Sequence, residues 1–352
     1  MTAPPAIRVG QRRLGAGEPC FVIAEAGSNH NGSLEQAFRL IDVAARAGAD
    51  AVKFQVFRAA RLYPKTAGLT DYLKLDKPIY DIIAELEMPY EWLPVLAEHT
   101  RERGLAFMAS AFDEESVDRL DPFVEIHKIA SYELTHHPLI EHVARTGKPL
   151  ILSTGTADLA EVAEAVAAYR AAGGEQLVLL QCTAAYPAPL DSLNIRAMAA
   201  LSETFGVAVG LSDHSREPVI GPVTAVAAGG SVVEKHFTLG NDLPGPDHAF
   251  AVEPKELAQL VAAVRASEQA LGSGDKVMAP VEAELHDFAR RFIFALAPIA
   301  PGEEITALNA AVLRKGKNAR GLEARDWNAT LGRRAARPLA AGEPIAAADL
   351  AA

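Results

Sequence analysis

The sequence predicts an α/β protein, a (β/α)8 barrel followed by a small β-rich domain, on three observations. Eight short apolar, β-rich runs recur through residues 1–275, most of them followed by a longer stretch of helical periodicity. The turn after the first run reads EAGSNHNG and lacks the G-x-G-x-x-G pattern expected of a doubly wound open sheet. Beyond residue 289 two related segments, API-A-PGEEIT and RPL-A-AGEPIA, echo each other as strand and Gly-Glu turn. A unit so small has a marginal core and is expected to pack on a partner. The length of 352 residues suits one barrel with a small appendage.

The expected strands run 20–26, 50–55, 105–110, 125–130, 149–153, 176–181, 207–212 and 231–236. The expected helices run 34–47, 90–103, 138–146, 159–171, 194–205, 218–228 and 254–271, several of them closing at glycine, as in ARAGAD and RERGLAF. IRVGQRRLG, before the first strand, reads as a hairpin that plugs the barrel bottom. Residues 276–289 break the pattern, so the expected organisation is a barrel over 1–275, a linker over 276–289 and a small domain over 290–352.

A hydrophobic share of 49% and a charged share of 22% suit a globular chain with a sizeable core. The net charge of −11 argues against a nucleic-acid or anionic-membrane partner. Two cysteines, Cys20 and Cys182, exclude a disulfide framework and point to a reducing, cytoplasmic setting. The N-terminal segment has no continuous apolar run, so no secretory signal is expected. The longest apolar stretch, 219–233, contains Pro222, Gly229 and Gly230 and is too short to span a bilayer. Residues 290–352 hold ten basic against six acidic residues, a net +4, which leaves −15 for 1–289. That asymmetry suits either two unrelated solvated surfaces or a basic appendage meeting an anionic ligand.

Active sites of such barrels sit at the C-terminal strand ends. Here all eight ends are polar: Glu25 with Asn29 and His30, Lys53 with Gln55, Ser110, Lys128 with Ser131 and Glu133, Ser153 with Thr154 and Gly155, Gln181 with Cys182, Thr183 and Tyr186, Ser212 with Asp213 and His214, and Glu234 with Lys235 and His236. Lys128, Ser131, Ser153, Thr154 and Gly155 form a reasonable phosphate cradle, although S-T-G-T before a helix is also ordinary capping chemistry. His214 and His236, on neighbouring strands, suit a borderline divalent ion that must also bind substrate. Glu25, Lys53, Gln55, Glu133, Glu234 and Asp247 offer acid–base and hydroxyl-binding groups for a polyhydroxylated substrate. Cys182 reads as a packing residue with no base beside it. Lys53, Lys128 and Lys235 keep a Schiff-base aldolase open as an alternative, and a non-catalytic carbohydrate-binding protein is another.

Taken together, IAEAGSNHNG (23–32), AVKFQ (51–55), HKIASYE (127–133), LSTGT (152–156), LLQCTAAYPAP (179–189), GLSDH (210–214), EKHFTL (234–239) and GPDHAF (245–250) resemble the sialic acid synthase family, of neuraminate, legionaminate and pseudaminate type. The C-terminal segment resembles that family's antifreeze-like (SAF, β-clip) domain after a TIM barrel. The resemblance implies condensation of phosphoenolpyruvate with an open-chain N-acyl hexosamine to a nine-carbon 2-keto-3-deoxy acid, with phosphate leaving by C–O cleavage. It implies that His214 and His236 ligate a divalent ion, Mn2+ first, with Mg2+ or Co2+ as alternatives. It implies phosphate held by Lys128, Ser131, Ser153 and Gly155. Sugar and water would be positioned by Lys53, Glu25, Gln55, Tyr186, Glu234 and Asp247, with Glu25 or Glu234 handling protons. It also implies a domain-swapped homodimer in which a basic residue of VLRKGKNARGL (312–322) touches the N-acyl group; Arg314 is preferred over Lys315 and Arg320. Ala130 and Tyr132 stand where neuraminate synthases often carry glycines, which leans away from the neuraminate branch.

Overall fold

The computed structural model describes residues 6–10, 12–69 and 77–351. The chain forms two compact units, Met1–Gly272 and Ser273–Ala352. In the first, β1 (Ile7–Val9) and β2 (Arg12–Leu14) form an antiparallel hairpin. Eight parallel strands then close into a barrel: β3 (Phe21–Gly27), β4 (Ala51–Val56), β5 (Ala106–Ala111), β6 (His127–Ile129), β7 (Leu150–Ser153), β8 (Leu177–Cys182), β9 (Ala208–Asp213) and β10 (Val232–His236). Pairing of β10 with β3 closes the ring. Every strand lies within two residues of its expected run. The runs were legible because parallel strands covered on both faces are apolar throughout, and β3, β7, β9 and β10 are buried at every residue.

The helices are α1 (Leu34–Ala47), α2 (Ala59–Leu62), α3 (Ile79–Glu85), α4 (Trp92–Glu102), α5 (Glu114–Leu120), α6 (His137–Arg145), α7 (Leu159–Ala171), α8 (Ala197–Phe205), α9 (Ile220–Ala227) and α10 (Pro254–Leu271). α1 starts where the Ser33 hydroxyl accepts from the Gln36 amide, and stops where Gly48 adopts a left-handed conformation. α7 opens on a capping box of Asp158 and Glu161. The helices α2, α3 and α5 have no counterpart among the expected ones. α5 buries only Ser116, Val117 and Leu120, too few apolar positions for a stripe, and is started by the Asp113 cap.

Two apolar layers hold the barrel. Outward strand residues such as Val22, Val52, Leu152 and Leu211 share one core with helix residues such as Leu40, Ile41, Val162 and Leu257. Inside, Phe21, Ile23, Met108, Ile151, Val178 and Val232 fill the lumen and receive Ile7, Val9 and Leu14 from the hairpin, which is the expected plug. Asp50 ties the layers together at that end: it accepts from the Val22 amide, from Arg265 at 2.5 Å, and from Arg12.

In the second unit, α11 (Ala283–Ala289) follows a 3-10 turn at Pro280–Glu282, and β11 (Arg291–Ala295) pairs antiparallel with β12 (Ala310–Arg314). The Gly316 amide donates to Phe288 O, so the segment before residue 290 packs with this unit. The two echo segments pair with each other, since Ile299 and Leu339 exchange both backbone hydrogen bonds at 3.0 Å. Their turns are equivalent: the Ala300 amide donates to Glu303 and the Ala340 amide to Glu343, each at 2.8 Å, while Gly302 and Gly342 sit at φ of 80° and 81°.

Close strand contact at Gly210 leaves no room for a side chain, because a Cβ there would lie 2.2 Å from Val232 O. Gly210→Ala is expected to cost at least ~2 kcal/mol by forcing β9 from β10. A urea midpoint equal to that of the parent chain would refute this.

Candidate active site

The barrel register assembles the site. Cross-strand neighbours at the C-terminal ends are His236 with Glu25, Glu25 with Lys53, Gln55 with Ser110, Ser110 with Lys128, and Ser212 with Cys182 and Glu234. Inward residues alternate with outward ones. A cavity of about 650 Å³ opens there, lined by Glu25, Lys53, Gln55, Ser110, Lys128, Ser131, Ser153, Tyr186, Ser212, His214, Glu234, His236 and Asp247.

Four buried ionisable groups form its floor. Lys53 Nζ lies 2.7 Å from Glu25 Oε2 and 3.7 Å from Glu234 Oε1, and donates to Ser110 at 2.9 Å. Lys128 Nζ lies 3.9 Å from Glu234 Oε1 and donates to Ser153 Oγ at 2.8 Å and Ile129 O at 2.9 Å. Burial pushes Glu25 up to about 8 against the pull of Lys53. Burial also works on Glu234, but Lys128 and Lys53 outweigh it and hold its carboxyl below the usual range. One glutamate is thus poised to exchange a proton at neutral pH, and the other stays ionised. Glu234 Oε2 is buried and unpartnered, while its other oxygen accepts from Ser212 at 3.1 Å.

Two residues beyond Ser212 and Glu234 along the chain lie two imidazoles, His214 and His236, with ring centroids 5.3 Å apart. Burial lowers His214 to about 4 and His236 well below its ordinary value, so both rings are neutral at pH 7. His214 Nδ1 hydrogen-bonds with Thr183 O at 3.0 Å, and its ring stacks on Tyr186 at 4.4 Å. His236 Nδ1 is buried without a hydrogen-bond partner, 3.7 Å from Asp247 Oδ2. Neutral imidazoles, one with an orphaned nitrogen, fit a borderline divalent ion. Among the described residues no group of three or more His, Cys, Asp or Glu is placed to hold a metal.

The connection between β10 and α10 brings Asp247 over the mouth. It is pinned by His248, which shares hydrogen bonds with Thr238 Oγ1 at 2.6 Å and with Asn31 Oδ1 at 3.1 Å. Gly27, at φ 53°, leaves space for the carboxylate, since a Cβ there would meet Asp247 Oδ2 at 3.0 Å.

Several expected residues face elsewhere. The Thr154 hydroxyl donates to Leu180 O, so it is turned from the cavity. The Gly155 amide donates to Ser131 Oγ at 3.0 Å and is committed to that hydroxyl. Glu133 is 7% exposed, does not line the cavity, and has an unpartnered Oε2. Lys235 and Asp213 pair on the outer face of the sheet. Cys182 Sγ lies 3.7 Å from His214 Nδ1, but that nitrogen donates its proton to Thr183 O and is no base, and burial raises the thiol pKa. Arg314 ends β12 in the second unit.

The sequence reading missed an apolar wall of Phe57, Leu62, Tyr63, Ile82, Ile83, Leu86 and Phe112. All but Phe112 come from the connection between β4 and α4. Its length was the available signal, because connections beyond about 15 residues are commonly functional.

Polar strand ends converging on one mouth define a (β/α)8-barrel enzyme. Residues 40–276 match the NeuB family and residues 290–351 the SAF domain. The spore coat polysaccharide biosynthesis protein SpsE of Bacillus subtilis is 41% identical, over 98% of this chain and 97% of its own. Its crystal structure superposes with a TM-score of 0.68 at 40% identity, covering 99% of both chains. The N,N'-diacetyllegionaminic acid synthase of Legionella pneumophila is 38% identical over 96% of each chain. The N-acetylneuraminic acid synthetase of Leptospira borgpetersenii, solved with citrate, gives a TM-score of 0.72 at 33% identity, over 81% of this chain and 96% of its own. The chain belongs to the NeuB family and is an enzyme of that family's acid-synthase class.

The orphaned Glu133 carboxyl sets a pH dependence. Burial pushes it from 4.5 up to about 7. Below pH 4.5 both folded and unfolded chains hold the proton and nothing is lost. As pH rises toward 7 the unfolded chain ionises first, so stability falls. Glu133→Gln is therefore expected to match the parent near pH 4.5 and to gain on it up to ~3 kcal/mol above pH 7. A pH-independent difference in urea midpoint would contradict this.

Proposed function

We propose that the chain is a nonulosonic acid synthase, condensing phosphoenolpyruvate with the aldehyde of an open-chain N-acyl hexosamine. The products are a nine-carbon 2-keto-3-deoxy acid and inorganic phosphate. The observation that carries the reading is the buried Lys53–Glu25–Glu234–Lys128 set facing two neutral imidazoles in one cavity. The names of the Legionella and Leptospira relatives support the product class.

Carbon 3 of phosphoenolpyruvate attacks the aldehyde carbon, whose oxygen takes a proton and becomes a hydroxyl. Water adds to the cationic carbon 2, and the carbon–oxygen bond to phosphate breaks, leaving the ketone. Lys128 spends two donors on Ser153 and Ile129 and keeps one for a phosphate oxygen. Ser131 accepts from Gly155 and can turn its own proton from the neighbouring Cys182 sulfur to the phosphate. Lys53 faces the substrate carboxylate. Ionised Glu234 stabilises positive charge at carbon 2, while Glu25, protonated at neutral pH, gives its proton to the aldehyde oxygen and then takes one from the added water. Gln55, Tyr186 and Asp247 orient the sugar; Ser110 and Ser212 hold Lys53 and Glu234 in place. A divalent ion, Mn2+ first with Mg2+ or Co2+ as alternatives, held by His214 and His236, would supply Lewis-acid polarisation of the aldehyde.

The reading includes a cytoplasmic, domain-swapped homodimer. In it Arg314 of the partner subunit, with Lys315 and Arg320 as competitors, meets the N-acyl group. The net +4 of residues 290–352 against −15 for the rest supports that assignment. So does a face of exposed Val277, Val281, Leu285 and Phe288 on the segment leading into β11.

The test is phosphate release from phosphoenolpyruvate across a panel of N-acyl hexosamines, with and without Mn2+. Release should require both acceptor and metal, and absence of release with every acceptor would sink the proposal. His214→Ala and His236→Ala should each lower kcat/KM by at least about 100-fold with the fold intact.

A separate expectation concerns the cradle. In Gly155→Ala the new Cβ would lie 2.8 Å from Ser131 Oγ and 3.1 Å from Cys182 Sγ. The displaced hydroxyl should raise the KM for phosphoenolpyruvate about tenfold, the worth of one hydrogen bond to a charged group. An unchanged KM would remove Ser131 from the phosphate site.

A further inference from the structure

Lys235 is 1% exposed and points away from the cavity, into the layer between the sheet and the helices. Its ammonium lies 2.8 Å from Asp213 Oδ2, its partner in the β9–β10 register. It also reaches Ser215 O at 2.5 Å, Ser215 Oγ at 3.1 Å and Glu217 O at 2.9 Å. Asp213 Oδ1 in turn accepts from the Ser215 amide at 2.8 Å. The turn over 213–217 is therefore wound around one buried ammonium, and His214 projects from that turn into the mouth. On the next strand Lys235 immediately precedes His236. The fold makes space for this arrangement: α9 crosses Asp213 with Gly221, where a Cβ would lie 2.5 Å from Asp213 Oδ2.

A buried ion pair is a poor device for stability. Desolvating both charges costs about as much as their attraction returns, and apolar replacements of such pairs are often neutral or better. What this pair does supply is a fixed path for the backbone on either side of two imidazoles whose spacing decides what they can hold.

We infer that Lys235, with Asp213, is a positioning residue for the His214–His236 pair: its ammonium fixes the 213–217 turn so that both rings present their free nitrogens to one divalent ion. The inference rests on the proposed metal reading and adds to it a residue that touches neither metal nor substrate. Groups that orient a metal ligand are commonly worth about 10- to 100-fold in metal affinity.

The test uses the full-length protein. Mn2+ affinity is measured by the paramagnetic resonance of free Mn2+, inorganic phosphate affinity by calorimetry, and folding by urea unfolding. Lys235→Met leaves Asp213 buried and unpaired, so the double variant Asp213→Asn with Lys235→Met is made beside it; the amide keeps the bond to Ser215 and removes the stranded charge. Expected in the double variant are a 10- to 100-fold weaker Mn2+ dissociation constant and phosphate affinity within about threefold of the parent. Its unfolding transition should stay cooperative, and the kcat/KM loss should be recovered in part by raising Mn2+. Unchanged Mn2+ affinity in the folded double variant overturns the inference alone. Equal loss of phosphate and Mn2+ affinity also overturns it, since that reports collapse of the whole mouth. A parent chain that binds no Mn2+ overturns the metal reading and this inference with it.

Discussion

Two ammonium groups and two carboxylates share the floor of a cavity where none of the four is more than 5% exposed on its side chain. Isolated, any one of them would cost several kcal/mol to bury, so each is tolerable only where its partners are. That mutual requirement binds the barrel together. Glu25 and Glu234 sit on the strands whose pairing closes the ring, and Lys53 and Lys128 on strands beyond β3. The register irregularity between Glu25 and Gly27 falls at this point, and the glycine leaves Asp247 its place over the opening. The opposed shifts of Glu25 and Glu234 come from the same arrangement: burial raises both, but Lys128 and Lys53 together pull Glu234 down, while Glu25 is pulled chiefly by Lys53 and pushed up by the charge of Glu234.

The cavity has two chemical halves. The floor is polar, while the β4–α4 connection supplies Phe57, Ile82, Ile83 and Leu86 along with Lys77 and Glu85. Such a wall excludes water from the side where it faces the charges, and lowering the local dielectric strengthens every electrostatic contact within. Tyr186 and Phe250 extend the apolar surroundings to the imidazoles, packing against His214 and His236. Burial there holds His214 neutral against the pull of Glu234 and Asp213, and burial together with nearby Lys53, Lys235 and Lys128 holds His236 neutral.

The barrel was legible because its strands are apolar runs and its long helices carry caps, as Ser33 and Asp158 show. α3 and α5 were not, because seven-residue helices offer too few turns for a period to emerge. Most of the mouth was legible from residue type at strand ends. Its errors have two causes: parity within a strand was ignored, and residues just past a strand end were taken to face inward. Lys235 and Asp213 follow the alternation outward. Thr154 and Glu133 lie just past strand ends, where local hydrogen bonds and packing decide direction. The apolar wall was invisible because a non-periodic connection reveals its length but not which of its side chains turn inward.

The internal pairing of the small domain has its own consequence. Its core draws Ile293, Ile299, Ile305 and Ala310 from one half and Ala335, Leu339 and Ile345 from the other. Each half closes its own turn locally, through Glu303 or Glu343, yet neither has enough apolar surface to stand alone. The two halves therefore behave as complementary fragments of a single cooperative unit. Cutting the backbone between them, near the exposed Arg325, would leave pieces held by the Ile299–Leu339 ladder and the shared core rather than by chain continuity.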